Sequence, residues 1–585
     1  MHDPRIPPPP TASAAEKPLQ PVAAPAEPIS AGKGVKETIE SILIAFILAF
    51  VFRAFVVEAF VIPTGSMATT LLGAHMRFIC KECGYQFDAE FRAKDTGSDD
   101  IDIPAWAQGR SFGAYCPNCR YKVSESEASE PSVRYGDRIL VLKYLYIPWI
   151  SEPHRWDVVV FKTPDAPKPT IPRTPLFTVN YIKRLIGLPG EKIIIIDGDI
   201  YVWDKNARNN KKENWKIQAK PRYAQDAMWR LIYDHDYRPL HDERPLNDRR
   251  ASDDRRVASE RVEHWTLPWV AGAASGWDTG DNEKARVITF KNTTGGGSLK
   301  FDPTTVPHYD PSRAPGGYFT DWLAYDGTMW QTGDSFSHSG DYPTYTVSDL
   351  KLSFFYQRKS GDGPLKAHLS KHDHEFVLEM LGDRVKLTHR FPDKHEVEIP
   401  ALKAINPSSI SGPIHVDFAN ADYRVSVRIN DELAFETTTE KGAPGYYQPD
   451  VEELWDRYVD HRKPFATPSV SLEAQRQEAV LSHVSLWRDV YYTSRDIARA
   501  TPDSPAELND DEYFVMGDNS AASSDARMWG QAVDLPEEAL KAEAGRVPAR
   551  FMLGRAFFVY WPAGYRPIDR APALVPNFGD MRLIH

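Results

Sequence analysis

The longest uninterrupted apolar segment lies near the start of the chain, at residues 42–52. It has eleven residues and continues past Arg53 through residues 54–57. A membrane-spanning helix needs about 20 mostly apolar residues, and this length is reached because a long arginine side chain can extend its charge to the membrane interface. The pattern predicts a transmembrane anchor over residues 35–62.

The segment before this anchor has the opposite character. Residues 1–34 contain nine prolines and seven alanines and hold few groups that could form a core, which predicts a disordered tail. A short apolar run is also compatible with a cleaved secretory signal. The long tail without a basic beginning favours a retained, single-pass anchor whose tail lies in the cytoplasm.

Beyond the anchor, apolar and polar residues alternate in short runs, which is typical of half-buried β-strands. The clearest runs lie at residues 133–144, 155–161, 180–193, 350–356, 376–380, 385–387, 414–418 and 423–431. They predict a mainly β protein. The later runs predict a large β-sandwich over residues 318–510, whereas the charged stretch before it predicts an irregular insertion over residues 205–317.

Composition narrows the function classes. The chain of 585 residues has a formal net charge of -11 and a pI of about 5.9. Because neutralising phosphates needs a basic face, these values exclude a nucleic-acid binder. The 42% hydrophobic content is enough to form large cores.

A serine with reactive surroundings follows the anchor directly: Ser66 comes after Pro63, Thr64 and Gly65. A Gly-Ser pair by itself is more often a turn than a nucleophile. A serine needs a base to remove its proton, and a lysine can act as that base only when it is neutral. Lys183 lies among apolar neighbours. Because the reference pKa of lysine is about 10.4, such a site must desolvate the amine.

Six segments in this order resemble the bacterial type I signal peptidases, which are membrane-bound Ser-Lys endopeptidases. The segments are residues 63–67, 133–144, 155–161, 180–193, 513–527 and 554–562. The resemblance implies a coiled β catalytic domain made of residues 63–79, 130–204 and 511–565. It also implies that Ser66 is the nucleophile, that Lys183 is the general base, and that the Ser66 N–H and the Thr64 hydroxyl form the oxyanion hole.

The resemblance assigns the supporting residues as well. Ser523 corresponds to a serine that orients the lysine, and Met67 to a residue that lines the substrate cleft. The other supporting residues are Tyr181 and Arg184 beside the base, Asp518 and Asn519, and the ion pair of Asp525 with Arg527. A Ser-His-Asp triad is excluded because no matched segment contains a histidine.

The implied activity is removal of signal peptides from exported preproteins at the outer face of the inner membrane. The substrate would bind as an extended segment beside a strand edge and be cut after an Ala-x-Ala pattern, with no cofactor in catalysis. One alternative is an idle envelope protein that binds glycans or proteins through the sandwich. A self-cleaving Ser-Lys protein related to bacterial repressors is disfavoured by the anchor and by the lack of a DNA-binding segment.

The four cysteines form two Cys-x-x-Cys pairs, Cys80 with Cys83 and Cys116 with Cys119, inside an insertion at residues 80–129. This spacing is typical of a structural zinc ribbon in which four thiolates hold one metal. Disulfides would leave the same sequence pattern if the compartment is oxidising. Gly84 and Pro117 are consistent with the turns of a zinc ribbon and favour zinc.

The remaining segments carry weaker signals. The sandwich segment is similar to laminin-G-like or concanavalin-like jelly rolls in its strand pattern, which does not define a ligand. His372, Asp373, His374 and Glu375 form a metal-like cluster that is equally consistent with an exposed turn. Residues 566–585 form a C-terminal tail without a recognisable motif.

Overall fold

The structure is a computed structural model. It describes residues 31–90, 112–124, 134, 136–146, 150–164, 180–209, 211–245, 262–280, 286–307, 311–312, 314–326, 329–332, 335–338, 344–459, 465–493, 499–530, 541–562 and 577–585. Most of the predicted N-terminal tail, at residues 1–30, lies outside this range, as does part of the predicted C-terminal tail.

Within these residues the chain forms three α-helices: α1 Ala31–Phe55, α2 Arg222–Met228 and α3 Val451–Val459. The strands of its first part are β1 Val57–Val61, β2 His75–Ile79, β3 Gln86–Glu90, β4 Phe112–Tyr115, β5 Lys122–Ser124, β6 Arg138–Leu142, β7 Val158–Lys162, β8 Asn180–Gly187, β9 Lys192–Ile196 and β10 Asp199–Trp203. The strands of its middle part are β11 Trp215–Ile217, β12 Arg230–Asp234, β13 Glu243–Pro245, β14 Val262–His264, β15 Trp269–Ala271, β16 Trp277–Asp278, β17 Val287–Phe301, β18 Met329–Thr332 and β19 Ser335–His338.

The strands of its last part are β20 Leu350–Gly361, β21 Leu365–Lys371, β22 His374–Met380, β23 Val385–Arg390, β24 Glu396–Ile399, β25 Ile414–Ala421, β26 Arg424–Ile429, β27 Glu432–Glu436, β28 Val470–Arg488, β29 Ala506–Glu507, β30 Glu512–Met516, β31 Val547–Pro548, β32 Met552–Trp561 and β33 Arg582–Leu583. The prediction of a mainly β protein is confirmed.

Helix α1 contains most of the segment that was predicted to be an anchor. Its large apolar side chains are exposed, including Phe46 at 72% and Phe50 at 78%. In the part of the chain that the structure describes, no helix combines the length and the apolar character needed to cross a membrane. The helix ends at Phe55, and residues 57–61, which the prediction included in the anchor, form β1 because they pair along their whole length with β6.

An eight-stranded antiparallel sheet contains the segments that were predicted to form a catalytic domain. Its order is β1-β6-β32-β7-β8-β30-β31, and β33 pairs with β32. Strand β8 lies between β7 and β30, where Val159 is opposite Lys183 and Met516 is opposite Arg184. Residues from Ile182 to the end of β8 are buried, so its two charged side chains lie in a water-poor interior.

The largest sheet is organised around β28, a strand of 19 residues whose side chains alternate between buried and more exposed positions. Because successive side chains of a strand point to opposite sides, one face of β28 packs on a core. β28 pairs with β12, β17, β20 and β21, and further strands extend the sheet to β24 on one side and β27 on the other. The alternating segments predicted between residues 350 and 431 lie in strands β20, β22, β23, β25 and β26.

The structure differs from the prediction of an irregular insertion over residues 205–317. This segment contains strands β11 to β17, and β17 pairs with β28 over most of its 15 residues. Three consecutive glycines at 295–297 lie inside β17, and glycine alone is a weak strand former. Gly296 and Gly297 pair with the distant strand β28, and alternation along the local sequence does not reveal this pairing.

The described residues of the cysteine-containing insertion lie in two hairpins, β2 with β3 and β4 with β5, of which β2 directly precedes the insertion. Strand β4 also pairs with β18, which belongs to the second inserted segment, residues 205–510. The four cysteines share one buried cluster with the strands of the largest sheet. The two inserted segments therefore pack on each other instead of forming separate modules.

Candidate active site

Ser66 lies in a tight turn that follows β1. Residues Gly65–Met67 form one turn of 3₁₀ helix, which is closed by the amide of Ala68 donating to the Gly65 carbonyl at 2.9 Å. Ser66 is 9% exposed. Met67, predicted to line the substrate cleft, is completely buried and packs in an apolar cluster with residues of β6. Its contact with a substrate stays a prediction.

The structure brings Lys183 of β8 onto this serine. Lys183 Nζ donates to Ser66 Oγ at 2.6 Å and to the Ile182 carbonyl at 3.1 Å. The ring of Tyr181 lies beside it, with its centroid 5.6 Å from Nζ. The two predicted partners are thus in direct contact, although 117 positions separate them in the sequence.

Burial makes the Lys183 amine easier to deprotonate. Desolvation lowers its pKa from the ordinary value of 10.5 to about 8, and the nearby charge of Arg527 acts in the same direction. The carboxylates of Asp525 and Asp518 oppose this change without cancelling it. A substantial fraction of the amine is therefore neutral near pH 8 and able to accept the serine proton.

A buried ion pair supports the floor of the site. Arg527 Nε donates to Asp525 Oδ1 at 2.8 Å, and a second guanidinium nitrogen donates to Oδ2 at 2.7 Å. The Gly517 N–H also donates to Asp525 at 3.0 Å. Burial opposes ionisation of Asp525, but Arg527 outweighs it and holds the pKa of the carboxyl below its ordinary value. The predicted ion pair is present.

A second fully buried ion pair joins β8 to the segment after β30. Arg184 binds Asp518 through two hydrogen bonds of 2.7 and 2.6 Å. Thr70, which follows the serine turn, donates to Asp518 Oδ2 at 2.7 Å. Burial opposes ionisation of Asp518, while Arg184 and these hydrogen bonds lower its pKa below the ordinary value. The pair thereby links the serine turn, the lysine strand and the segment that contains Ser523.

Gly517 and Asn519 hold the carbonyl side of the serine turn. A Cβ at position 517 would overlap both the Ser66 carbonyl and the Ser523 hydroxyl, so only glycine fits there. The Asn519 N–H donates to the Ser66 carbonyl at 3.1 Å, and its side-chain Nδ2 donates to the Gly65 carbonyl at 3.1 Å. Asn519 therefore fixes the peptide groups on both sides of the serine.

Ser523 and Thr64 are two further predicted groups that lie near the serine turn. Ser523 is buried near the site, but its hydroxyl has no hydrogen-bond partner among the described residues, so it does not contact Lys183. Thr64 is exposed and extended, and its hydroxyl does not cap the serine turn. Its role toward a substrate oxyanion stays a prediction.

Some contacts of the site were not predicted from the sequence. Thr70, Glu90 and Asp326 each bind part of the network around the serine. Glu90 and Asp326 lie in the inserted segments, outside every matched segment. No local signal in the sequence, including the Gly517 block at residues 513–527, named these partners.

The four cysteines converge in a way that fits a metal. All four are free and buried, and their sulfur atoms lie within 4.8 Å of one another. The Sγ–Sγ distance is 3.6 Å from Cys80 to Cys119 and 3.5 Å from Cys83 to Cys116. Four thiolates around one zinc ion at about 2.3 Å would place their sulfurs at nearly this separation. The donor set therefore fits a tetrahedral structural zinc ion.

The motif at residues 372–375 does not converge on a metal. His372 contacts Asp197 at 2.9 Å, whereas His374 contacts His389 at 2.9 Å. Glu375 accepts from His368 at 2.9 Å. These side chains bind different partners, so their arrangement gives no support to the metal alternative for this motif.

Two segments of the chain are similar to a known protein family. Residues 119–260 and 460–561 match the family model described as signal peptidase, peptidase S26. These residues include Lys183 and the Gly517 block, and Ser66 lies before them. The chain is 30% identical over 177 residues to signal peptidase I of Rickettsia prowazekii and 31% identical over 173 residues to that of Rickettsia typhi.

These alignments cover part of each protein. They include 30% of this chain and 47% and 45% of the two relatives, so the chain spans about half the length of the curated relatives it matches. Among solved structures, the carbohydrate-binding module CBM66 of Bacillus subtilis aligns at 12% identity and a TM-score of 0.21, covering 38% of this chain and 95% of that one. A laminarinase from Rhodothermus marinus aligns at 12% identity and 0.20, covering 39% and 100%. Over its two matched segments, the chain is similar to the family described as signal peptidase, peptidase S26. It is also similar to the two Rickettsia signal peptidases over 30% of its length.

Proposed function

We propose that the protein is a serine endopeptidase that removes signal peptides from exported preproteins, with Ser66 as nucleophile and Lys183 as general base. The observation that carries this proposal is the buried 2.6 Å contact between Lys183 Nζ and Ser66 Oγ. A hydroxyl and an amine at this distance can exchange a proton directly. The similarity of the flanking segments to signal peptidases supports the substrate class.

The proposed reaction proceeds through an acyl-enzyme. Neutral Lys183 takes the Ser66 proton as Oγ attacks the scissile carbonyl, and the Ser66 N–H with the Thr64 hydroxyl stabilises the oxyanion. The lysine ammonium then gives its proton to the leaving amine. A water molecule, deprotonated by the same lysine, attacks the ester and releases the signal peptide with Ser66 restored. Cleavage after an Ala-x-Ala pattern is part of the proposal.

We further propose that α1 attaches the enzyme to the inner membrane, with the tail in the cytoplasm and the active site outside. Support comes from the exposure of large apolar side chains such as Phe46 and Phe50, because contiguous exposed apolar surface is unfavourable in water. The wild-type protein should float with lipid vesicles in a density gradient. Recovery of the full-length protein in the vesicle-free fraction would contradict the attachment.

We also propose that Cys80, Cys83, Cys116 and Cys119 hold a structural zinc ion. Support comes from the short sulfur separations and from the turns that carry them, in which the Gly84 N–H donates to the Cys80 carbonyl and the Arg120 N–H to the Cys116 carbonyl. With four thiolates the coordination of zinc is complete, so the metal would serve the packing of the insertion and not the chemistry.

The proposed function is tested by incubating the detergent-solubilised full chain with a preprotein that carries an Ala-x-Ala site. We expect cleavage after the second alanine by the wild type and none by Ser66→Ala or Lys183→Ala. Lys192→Ala is the matched control, because Lys192 is a half-exposed lysine that binds Glu507 at the surface. Absence of cleavage by the wild type, or cleavage by Ser66→Ala, would contradict the proposal and favour an idle relative.

A further inference from the structure

A residue of the second inserted segment, Tyr325, packs against the serine turn. Tyr325 lies so close to Gly65 that a Cβ at position 65 would overlap its ring. Tyr325 is 1% exposed and packs with Ala68 and Leu72, which follow the serine. The turn is therefore enclosed by residues that have no place in the matched segments.

The first inserted segment binds the main chain of Gly65 directly, and the second is connected to it through the Asn519 side chain. The Gly65 N–H donates to Glu90 Oε1 at 3.3 Å, and Glu90 ends the hairpin that carries the first two cysteines. On the other side of the residue, Asn519 Nδ2 donates to the Gly65 carbonyl at 3.1 Å and to Asp326 Oδ1 at 2.8 Å. One amide nitrogen thus bridges the serine turn and an acidic residue of the insertion.

The acidic partner decides which way this amide points. An asparagine side chain offers an NH₂ group on one side and an oxygen on the other, whereas an ionised carboxylate only accepts hydrogen bonds. Asp326 therefore favours the orientation in which the NH₂ of Asn519 faces both Asp326 and the Gly65 carbonyl. The opposite orientation would set two oxygen atoms against each other and release the turn.

We propose that Asp326 is a positioning residue for Ser66 that acts through Asn519, with Glu90 holding the same peptide from the other side. This inference rests on the proposed peptidase function. The inserted segments are then part of the machinery that fixes the nucleophile. Displacement of a reacting group by about 1 Å can lower a rate by about 100-fold, so a loosened turn has a measurable cost.

The test compares Asp326→Ala, Asp326→Asn and Asp383→Ala in the full chain. Asp326→Asn keeps an oxygen that accepts from Asn519, while the Gly65 carbonyl still favours the same orientation of the Asn519 amide. Asp383→Ala removes an exposed acidic residue of the same segment that pairs with Arg384 at 3.4 Å. Steady-state kinetics on a peptide with an Ala-x-Ala site give kcat and KM separately. Amide hydrogen exchange of residues 62–72 reports the mobility of the turn without any substrate.

We expect Asp326→Ala to lower kcat by about 10- to 100-fold with little change in KM, and to speed exchange in residues 62–72. Asp326→Asn and Asp383→Ala should retain most of the wild-type kcat and exchange rate. Wild-type kcat and exchange in Asp326→Ala would overturn the proposal, as would equal impairment in Asp326→Asn.

Faster exchange across β28 as well as the turn would indicate a general loss of stability and would also overturn it. If the wild type cleaves no peptide, the proposed function fails. The exchange rates of the three variants would still decide whether Asp326 holds the turn.

Discussion

Lys183 Nζ lies 2.6 Å from Ser66 Oγ, and both side chains are removed from solvent. Neither residue is reactive alone. Burial on β8 makes the lysine a base near neutral pH, and the glycine-rich turn delivers the hydroxyl to it.

The rate of cleavage should depend on the protonation of Lys183. Because only the neutral amine accepts the serine proton and its pKa is about 8, kcat/KM should rise about tenfold per pH unit below pH 8 and level off above it. The measurement is a pH–rate profile with a peptide substrate. Lys192→Ala should show the same profile, and a rate independent of pH between 6 and about 9 would contradict the assignment.

Burial of Lys183 should also make the free energy of unfolding depend on pH. Between pH 8 and 10.5 the unfolded chain holds a proton on this lysine that the folded chain has lost, so wild-type stability rises with pH across that window. Lowering the pKa from 10.5 to about 8 corresponds to about 3 kcal/mol of destabilisation at neutral pH. Lys183→Met should therefore unfold at higher urea concentration than the wild type at pH 7.

At pH 10.5 the difference in free energy of unfolding between Lys183→Met and the wild type should be small, because both folded proteins then lack the buried charge. Urea titrations at the two pH values make the comparison. A stabilisation of equal size at both pH values would show that packing, and not the charge, is responsible.

Breaking the Arg184–Asp518 pair should be costly. Both side chains are completely buried, and Asp518→Ala would leave the Arg184 guanidinium charged without its carboxylate. We expect a loss of about 3–5 kcal/mol in the free energy of unfolding. Asp383→Ala, which breaks an exposed pair, should change it by less than about 1 kcal/mol. Similar losses in the two variants would refute this account of the pair.

The cysteine cluster should contain one zinc ion per chain. Elemental analysis of the purified protein makes the measurement, and chelation at mildly acidic pH should remove the metal because thiolates become protonated. Cys83→Ser should lose the metal and unfold at lower temperature. Purified protein without zinc and with four oxidised cysteines would show that the disulfide interpretation is correct.

The sequence could supply the candidate chemistry because reactive side chains and turn residues are visible locally. Ser66 after a glycine, Lys183 among apolar residues and the Gly517 block each point to a tight or buried setting. Long alternating segments such as the one in β20 predicted their strands for the same reason. The prediction was weakest where pairing with distant residues overrides local preference, as at Gly296 and Gly297 of β17.

The placement of Met67 and Ser523 illustrates a second limit. Their residue types suit both a cleft and a core, and only the packing around the turn puts Met67 inside the apolar cluster and leaves the Ser523 hydroxyl without a partner among the described residues. The inserted segments were predicted as insertions separate from the catalytic domain. In the structure, however, their residues Glu90 and Asp326 contact the network around the serine.

By itself, the sequence determined which groups are available: an apolar helix, a serine turn, a lysine among apolar residues, the charged residues Asp525 and Arg527, and four thiols. These follow from residue type and spacing, which act over a few positions of the chain. The tertiary structure decided which of these groups meet. Hydrogen bonding and desolvation act over about 3 Å, and only folding brings Lys183 and Asn519 within that distance of the turn and Asp326 within it of Asn519.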